Sequence, residues 1–136
     1  MATDFFERCD AIEECYEFML GYAGQGLPSD AGSQSGSQVR QFLQRAVSAL
    51  NGLAESCGGL IAELGIETAG KYQAFILVIR RDAQDSLAAF ELVLAQPAIS
   101  SQLIDNLNAS IHVRALLTDL FLVGEILRTQ EKPVTN

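Results

Sequence analysis

In 136 residues the chain has no tryptophan, one histidine and three cysteines, and basic side chains are few. Each scarcity excludes some chemistry. A ferritin-type di-iron bundle needs a Glu-x-x-His motif from each of two helices, and a single imidazole, His112, does not supply both. Glu13 and Glu17, and likewise Asp10 and Glu14, stand one helical turn apart with no histidine beside them, which is the pattern of a solvated acidic face. Cys9, Cys15 and Cys57 are odd in number and lack the close spacing of a zinc or dithiol site. They read as small buried apolar groups. A Ser-centred G-x-S-x-G elbow is absent. The GxG at Gly24 to Gly26 follows no apolar strand and lacks the full glycine spacing of a dinucleotide site. The chain is therefore expected to be no enzyme and to hold no cofactor and no metal.

Lysine and arginine number 9 against 17 aspartates and glutamates, a net charge of −8. Such a balance repels a phosphate backbone or an anionic lipid surface, so neither nucleic acid nor a membrane is expected as a partner. It also keeps a protein in solution. The longest apolar stretch, Ala115 to Leu127, is interrupted by Asp119 and Glu125, and a bilayer span needs about 20 apolar residues. Asp10, Glu13, Glu14 and Glu17 deny the N-terminal region the apolar core of a secretion signal. A cytoplasmic location is expected.

What the sequence does have is helical periodicity. Phe5, Cys9, Ile12, Tyr16, Met19 and Ala23 recur at steps of three and four, predicting an amphipathic helix from Asp4 to Ala23. Asp4 is its expected N-cap, with Glu7 as capping-box partner. Gly21, Gly24 and Gly26 are expected to end it. Gly24 to Gly36 (GQGLPSDAGSQSG) reads as a long flexible loop. From Ser37, the expected cap, Val39, Phe42, Leu43, Ala46, Leu50, Leu53, Ala54 and Cys57 predict one long helix to Leu64. It is expected to kink, or break briefly, at Gly58 and Gly59. Gly65 to Gly70 is a turn. Tyr72, Phe75, Ile76, Ile79, Ala83, Leu87, Phe90 and Leu94 predict a third helix over Thr68 to Ala95, bounded by Pro97.

A fourth helix is predicted over Ala98 to Arg128 from Leu103, Ile104, Leu107, Ile111, Leu117, Leu120, Phe121 and Leu127. Val113, Leu116, Leu122 and Val123 spread its apolar surface around the circumference. A helix of that kind is either central or shared with another chain. Residues 129 to 136 are expected to fray. The whole, residues 1 to 136, reads as a single all-α domain. Its expected form is an up-and-down four-helix bundle with a long Gly/Ser-rich loop after the first helix.

Three places invite a functional reading. His112 lies in ASIHVRALLTD, two residues before Arg114, on a helix of an acidic bundle. In architecture this resembles a histidine phosphotransfer domain, and the resemblance implies a signalling role for His112. The local motif departs from the family, which has Lys and then Gly beginning three residues after the histidine; here Ala115 and Leu116 stand there. A half-buried or interface histidine hydrogen-bonded to a neighbour is the plainer expectation; Asp105 and Asp119 share its face but lie two turns away, beyond direct contact within one helix. Arg80, Arg81, Asp82 and Asp85 form the densest charge cluster, either a docking patch for an acidic partner or a solvated face. Arg81 and Asp85 have the i,i+4 spacing of a surface pair. Cys57 would gain thiolate character only if a helix restarted at Gly58 and placed its N-terminus beside the sulfur.

Two classes of function follow. One is a non-catalytic protein-interaction module (an assembly factor, a chaperone-like protein or a regulatory subunit) that dimerises to cover the surplus apolar surface of its last helix. The other is a bundle that binds a small ligand or chromophore in its core, with Tyr16, Tyr22 and Tyr72 as polar handles.

Overall fold

The structure, a computed structural model, describes residues 2–66 and 70–131. All regular elements among them are helices: α1 (Ala2–Ala23), α2 (Gln34–Leu50), α3 (Leu53–Leu64), α4 (Lys71–Leu94), α5 (Ser101–Asn108) and α6 (Ile111–Glu131). The four expected helices are thus six, because the second and fourth are each broken. The expected start of the third helix at Thr68, and residues 132 to 136 of the expected frayed tail, lie outside the described residues. No helix among the described residues is long and apolar enough to cross a membrane.

The first break comes at Asn51 and Gly52, not at the glycine pair further on. Gly58 and Gly59 lie inside α3. Asn51 is extended (φ −69°, ψ 116°) and Gly52 takes a left-handed φ of 84°, which only glycine adopts freely. The carbonyls released at the end of α2 are not left bare. The Arg8 guanidinium, reaching over from α1, donates to the carbonyls of Ser48, Ala49 and Asn51. Asp4 holds Arg8 in place at 3.0 Å and accepts from the Ser56 hydroxyl at the start of α3. Asp4 therefore caps no helix, since α1 already begins at Ala2. Its work is to tie α1 to the α2–α3 junction. The second break, at Ala109 and Ser110, follows Asn108, in a run of residues that favour local backbone bonding over helix continuation.

α1 packs against α2, α3, α5 and α6, while α4 covers α2, α3 and α6. The fully buried seam of α1 is Phe5, Cys9, Ile12, Cys15, Met19 and Tyr22. Cys15 and Tyr22 replace the expected Tyr16 and Ala23, which are half-buried at the margin. With neighbours on several sides, α1 buries a wider arc than a two-helix seam requires. Phe18 stacks on Phe42 of α2 with ring centroids 4.3 Å apart.

At the opposite end from Arg8, a second arginine gathers the connections. Arg40 of α2 binds Asp30 at 2.8 Å and donates to the carbonyls of Leu94 and Gln96, closing the end of α4. The other Asp30 oxygen accepts from the Ile99 N–H. Leu27 and Ser101 exchange backbone and hydroxyl hydrogen bonds, and the Ser101 hydroxyl also donates to the Tyr22 carbonyl. The residues between α1 and α2 are thus bound to the α4–α5 connection. Their second helix starts earlier than Ser37: Ser33 caps α2, accepting from Gly36 N–H at 2.9 Å, and Ser37 donates to the Gln34 carbonyl.

Gly36 has no room for a side chain. An added Cβ would lie 2.0 Å from the Asp30 carbonyl oxygen. Gly36→Ala is expected to cost about 1–3 kcal/mol of stability, because backbone must move to admit the methyl group. Gly59, with nothing within 4 Å of its added Cβ, is the control. Gly59→Ala is expected to gain about 0.4–1 kcal/mol. Urea unfolding of both variants checks the pair; equal effects would contradict the close approach at Gly36.

Candidate functional site

α6 buries one face and leaves large apolar side chains on its outer face, interleaved with Arg114, Thr118 and Glu125. Val113, Leu116, Leu120, Val123 and Leu127 lie in the core, while Phe121 and Leu122 are 58% and 54% exposed. Ile126, 38% exposed, extends the outer strip. Phe121 and Ile111, expected in the core, are thus outside. Successive residues of a helix point about 100° apart, so Phe121 and Leu122 serve different flanks. Leu122 and Ile126, with Tyr72 and Phe75 of α4, line a groove of about 430 Å³; among the described residues Lys71 is the one charged side chain in its lining. Phe121 and Leu117, with Tyr16 and Leu20 of α1, line a second groove of about 350 Å³ rimmed by Glu13 and Glu17.

The two flanks differ in charge for reasons of helix register. On α1 the acidic residues fall where its surface turns toward α6. Burial, then the neighbouring charges of Asp10 and Glu17, raise the Glu13 carboxyl above its ordinary range against the pull of Arg128. Arg128 lies 4.9 Å over the Phe6 ring, one turn before Asp10 on the same face of α1, and attracts Glu13 without pairing with it. Glu14, on the far side of α1, has its own cation in Arg45 at 3.0 Å. Among the described residues Asp10, Glu13 and Glu17 have no ion-pair partner within 4 Å.

Between α4 and α6 lies a carboxyl pair that sequence reasoning missed. Asp119 is buried in the apolar run of α6, and its Oδ2 has no hydrogen-bond partner. Burial first, then the hydrogen bond and charge of Asp82 across the seam, push its carboxyl up to about 7. One acid of the pair is stable there only while it keeps its proton. An aspartate amid LLTDLFLV was the signal available in the sequence.

The residues singled out by sequence do not converge. His112 is exposed on the first turn of α6, and its Nδ1 stands 3.7 Å from Asp85 of α4, not beside Asp105 or Asp119. Its carbonyl accepts from buried Ser86. Asp85 thus faces α6, and Arg81, its expected partner, has no ion pair within 4 Å among the described residues. Arg80 instead pairs with Glu55 of α3. Arg114 is exposed. Cys57 is fully buried in mid-helix, so no helix restarts at Gly58 to activate it. Burial pushes the thiols of Cys9, Cys15 and Cys57 up to about 12. Tyr16 and Tyr72 line opposite flanks of α6, and Tyr22 spends its hydroxyl on the Ile99 carbonyl at 2.7 Å.

Comparison with protein-family models, with curated proteins and with solved structures finds no match for this chain.

Two measurements test these assignments. A carboxyl whose folded value is raised supports the fold fully below its unfolded value and loses that support as pH rises through the folded one. For Asp119 the window is therefore about pH 4 to 7. Unfolding by urea is expected to show stability falling across it by on the order of 2 kcal/mol, and Asp119→Asn is expected to flatten the fall. Asp4, Asp30 and Glu55, lowered by their hydrogen-bonded partners, act below that window and with opposite sign. Titration with a disulfide reagent at neutral pH is expected to leave the folded chain unlabelled and to count three thiols in denaturant. A fast-reacting thiol in the native state would refute the buried assignment.

Proposed function

We propose that the chain is a non-catalytic protein-interaction module, acting in the cytoplasm as a homodimer that assists or regulates another protein. The carrying observation is the outward apolar strip of α6, continuous with Tyr72 and Phe75 across the α4–α6 groove. Leaving such a strip in water forgoes about 25 cal/mol for each Å² that contact would bury. A second copy of the chain is the occupant that suits the α4–α6 flank. Among the described residues its wall is apolar with a single cation, so two copies meet there without opposing rows of carboxylates. A two-fold pairing would also present the same strip from both partners. The buried thiols and the scattered placement of His112, Arg80, Arg81 and Arg114 favour a binding role over catalysis.

Light scattering on the chromatographic peak tests the dimer. The expected mass is about twice that of the 14.7 kDa chain, with dissociation on dilution. The double variant Leu122→Asp, Ile126→Asp is expected to run as a monomer with an unchanged far-ultraviolet helical spectrum. A wild-type chain that stays monomeric at high concentration would sink the homodimer.

A further inference from the structure

The flank of α6 that the homodimer leaves free differs in kind from the one it covers. Its floor is apolar: Tyr16 and Leu20 from α1, Leu117 and Phe121 from α6. Leu20 is 51% exposed. Its rim is acidic, with Glu13 and Glu17 on one edge and Asp10 one turn before Glu13. The three carboxylates repel one another and have no ion-pair partner among the described residues, and Glu13 is raised partly for that reason. Arg128, over Phe6 on the same face of α1, pulls on Glu13 without pairing with it, so three carboxylates face one cation and the rim keeps a negative charge that a further cation would relieve.

We infer that the α1–α6 groove docks a basic amphipathic helix of a partner protein, whose apolar face packs on Leu20 and Phe121 while its Lys or Arg side chains meet Glu13 and Glu17. This inference rests on the interaction-module reading and names its partner class. A helix suits the site because two helices form its walls, so ridges of a third fit the groove between them. Glu13 and Glu17 lie four residues apart on α1, about 6 Å along its axis, the rise between cations at i and i+4 on the incoming helix. A second copy of this chain does not suit the site, since it brings a net charge of −8. An anionic lipid surface is repelled by the same rim.

The probe is a synthetic amphipathic Leu/Lys peptide of about 14 residues, long enough to form a helix on binding. Two controls accompany it: a peptide of identical composition scrambled to destroy the apolar face, and a Leu/Glu counterpart. Calorimetric titration at two salt concentrations, with amide chemical-shift mapping, reads affinity and place. The expected result is saturable binding that weakens with salt, with shifts centred on Tyr16, Leu20 and Phe121. Glu13→Gln with Glu17→Gln, and separately Leu20→Ala with Phe121→Ala, are each expected to weaken it about tenfold, or 1.4 kcal/mol. All four side chains are at least partly solvent-exposed, and a helical spectrum verifies folding of each variant.

Equal affinity for the scrambled peptide would overturn the inference, because binding would then be general attraction to an acidic protein. Shifts centred elsewhere, indifference to both double variants, or no binding would overturn it too. The Leu122→Asp, Ile126→Asp chain separates the two readings. Peptide binding by that monomer supports this groove whatever becomes of the dimer, and a dimer that ignores the peptide defeats this groove alone.

Discussion

The Arg40 guanidinium is the contact on which the arrangement of the connections depends. It links Asp30, from the loop after α1, to the carbonyls of Leu94 and Gln96 at the end of α4. Those carbonyls have no helical partner of their own, and a partly buried carbonyl left bare costs about 1–3 kcal/mol. Asp30 in turn receives the Ile99 N–H, so one ion pair satisfies groups from both the α1–α2 loop and the α4–α5 connection. At the opposite end Arg8 does the corresponding work, closing α2 and standing over the turn into α3. With the C-terminal carbonyls of α2 and α4 each closed by an arginine, the side faces of the helices are left free for other uses.

That freedom is spent mainly on α6. One face completes the core, the acid pair of Asp82 and Asp119 lies in its seam with α4, and the outer face exposes Phe121, Leu122 and Ile126 beside Thr118 and Glu125. The surface flanking this helix is not uniform. Toward α4 it is apolar and almost uncharged; toward α1 it is apolar with unpaired carboxylates. Physical asymmetry of this kind suits a module that meets two different surfaces, a like copy on one flank and a basic partner on the other.

Much of this was legible in the residues. The 3.6-residue periodicity located α1 and α4 to within three residues at each end, and the surplus of apolar positions on the last helix foreshadowed the exposed Phe121 and Leu122. The breaks were less legible. Asn51-Gly52 is a turn-forming dipeptide, yet apolar periodicity continues in phase from Leu50 to Leu53 and masks it. What decides the break is Arg8, 40 or more positions away, which supplies the donors that a helix end requires. The loop after α1 shows a similar limit. Its Gly and Ser content says nothing of Asp30 finding Arg40 and Ile99.

The sequence by itself determined that this chain is helical, that its thiols are buried apolar groups and that its surface is acidic, since periodicity, spacing and composition are local or additive properties. Only the tertiary structure decided which arc of each helix is covered. α1, packed closely on α2, α5 and α3, buries Cys15 and Tyr22 beyond its simple seam; α6, packed closely on α4 and only lightly on the others, leaves Phe121 and Leu122 outside. It also decided which charges meet: Asp85 with His112, Arg80 with Glu55, Asp119 with Asp82. A hydrophobic period ranks the faces of a helix by their preference for burial. How many of those faces find a neighbour depends on the other helices, and that is a property of the packing and not of the segment.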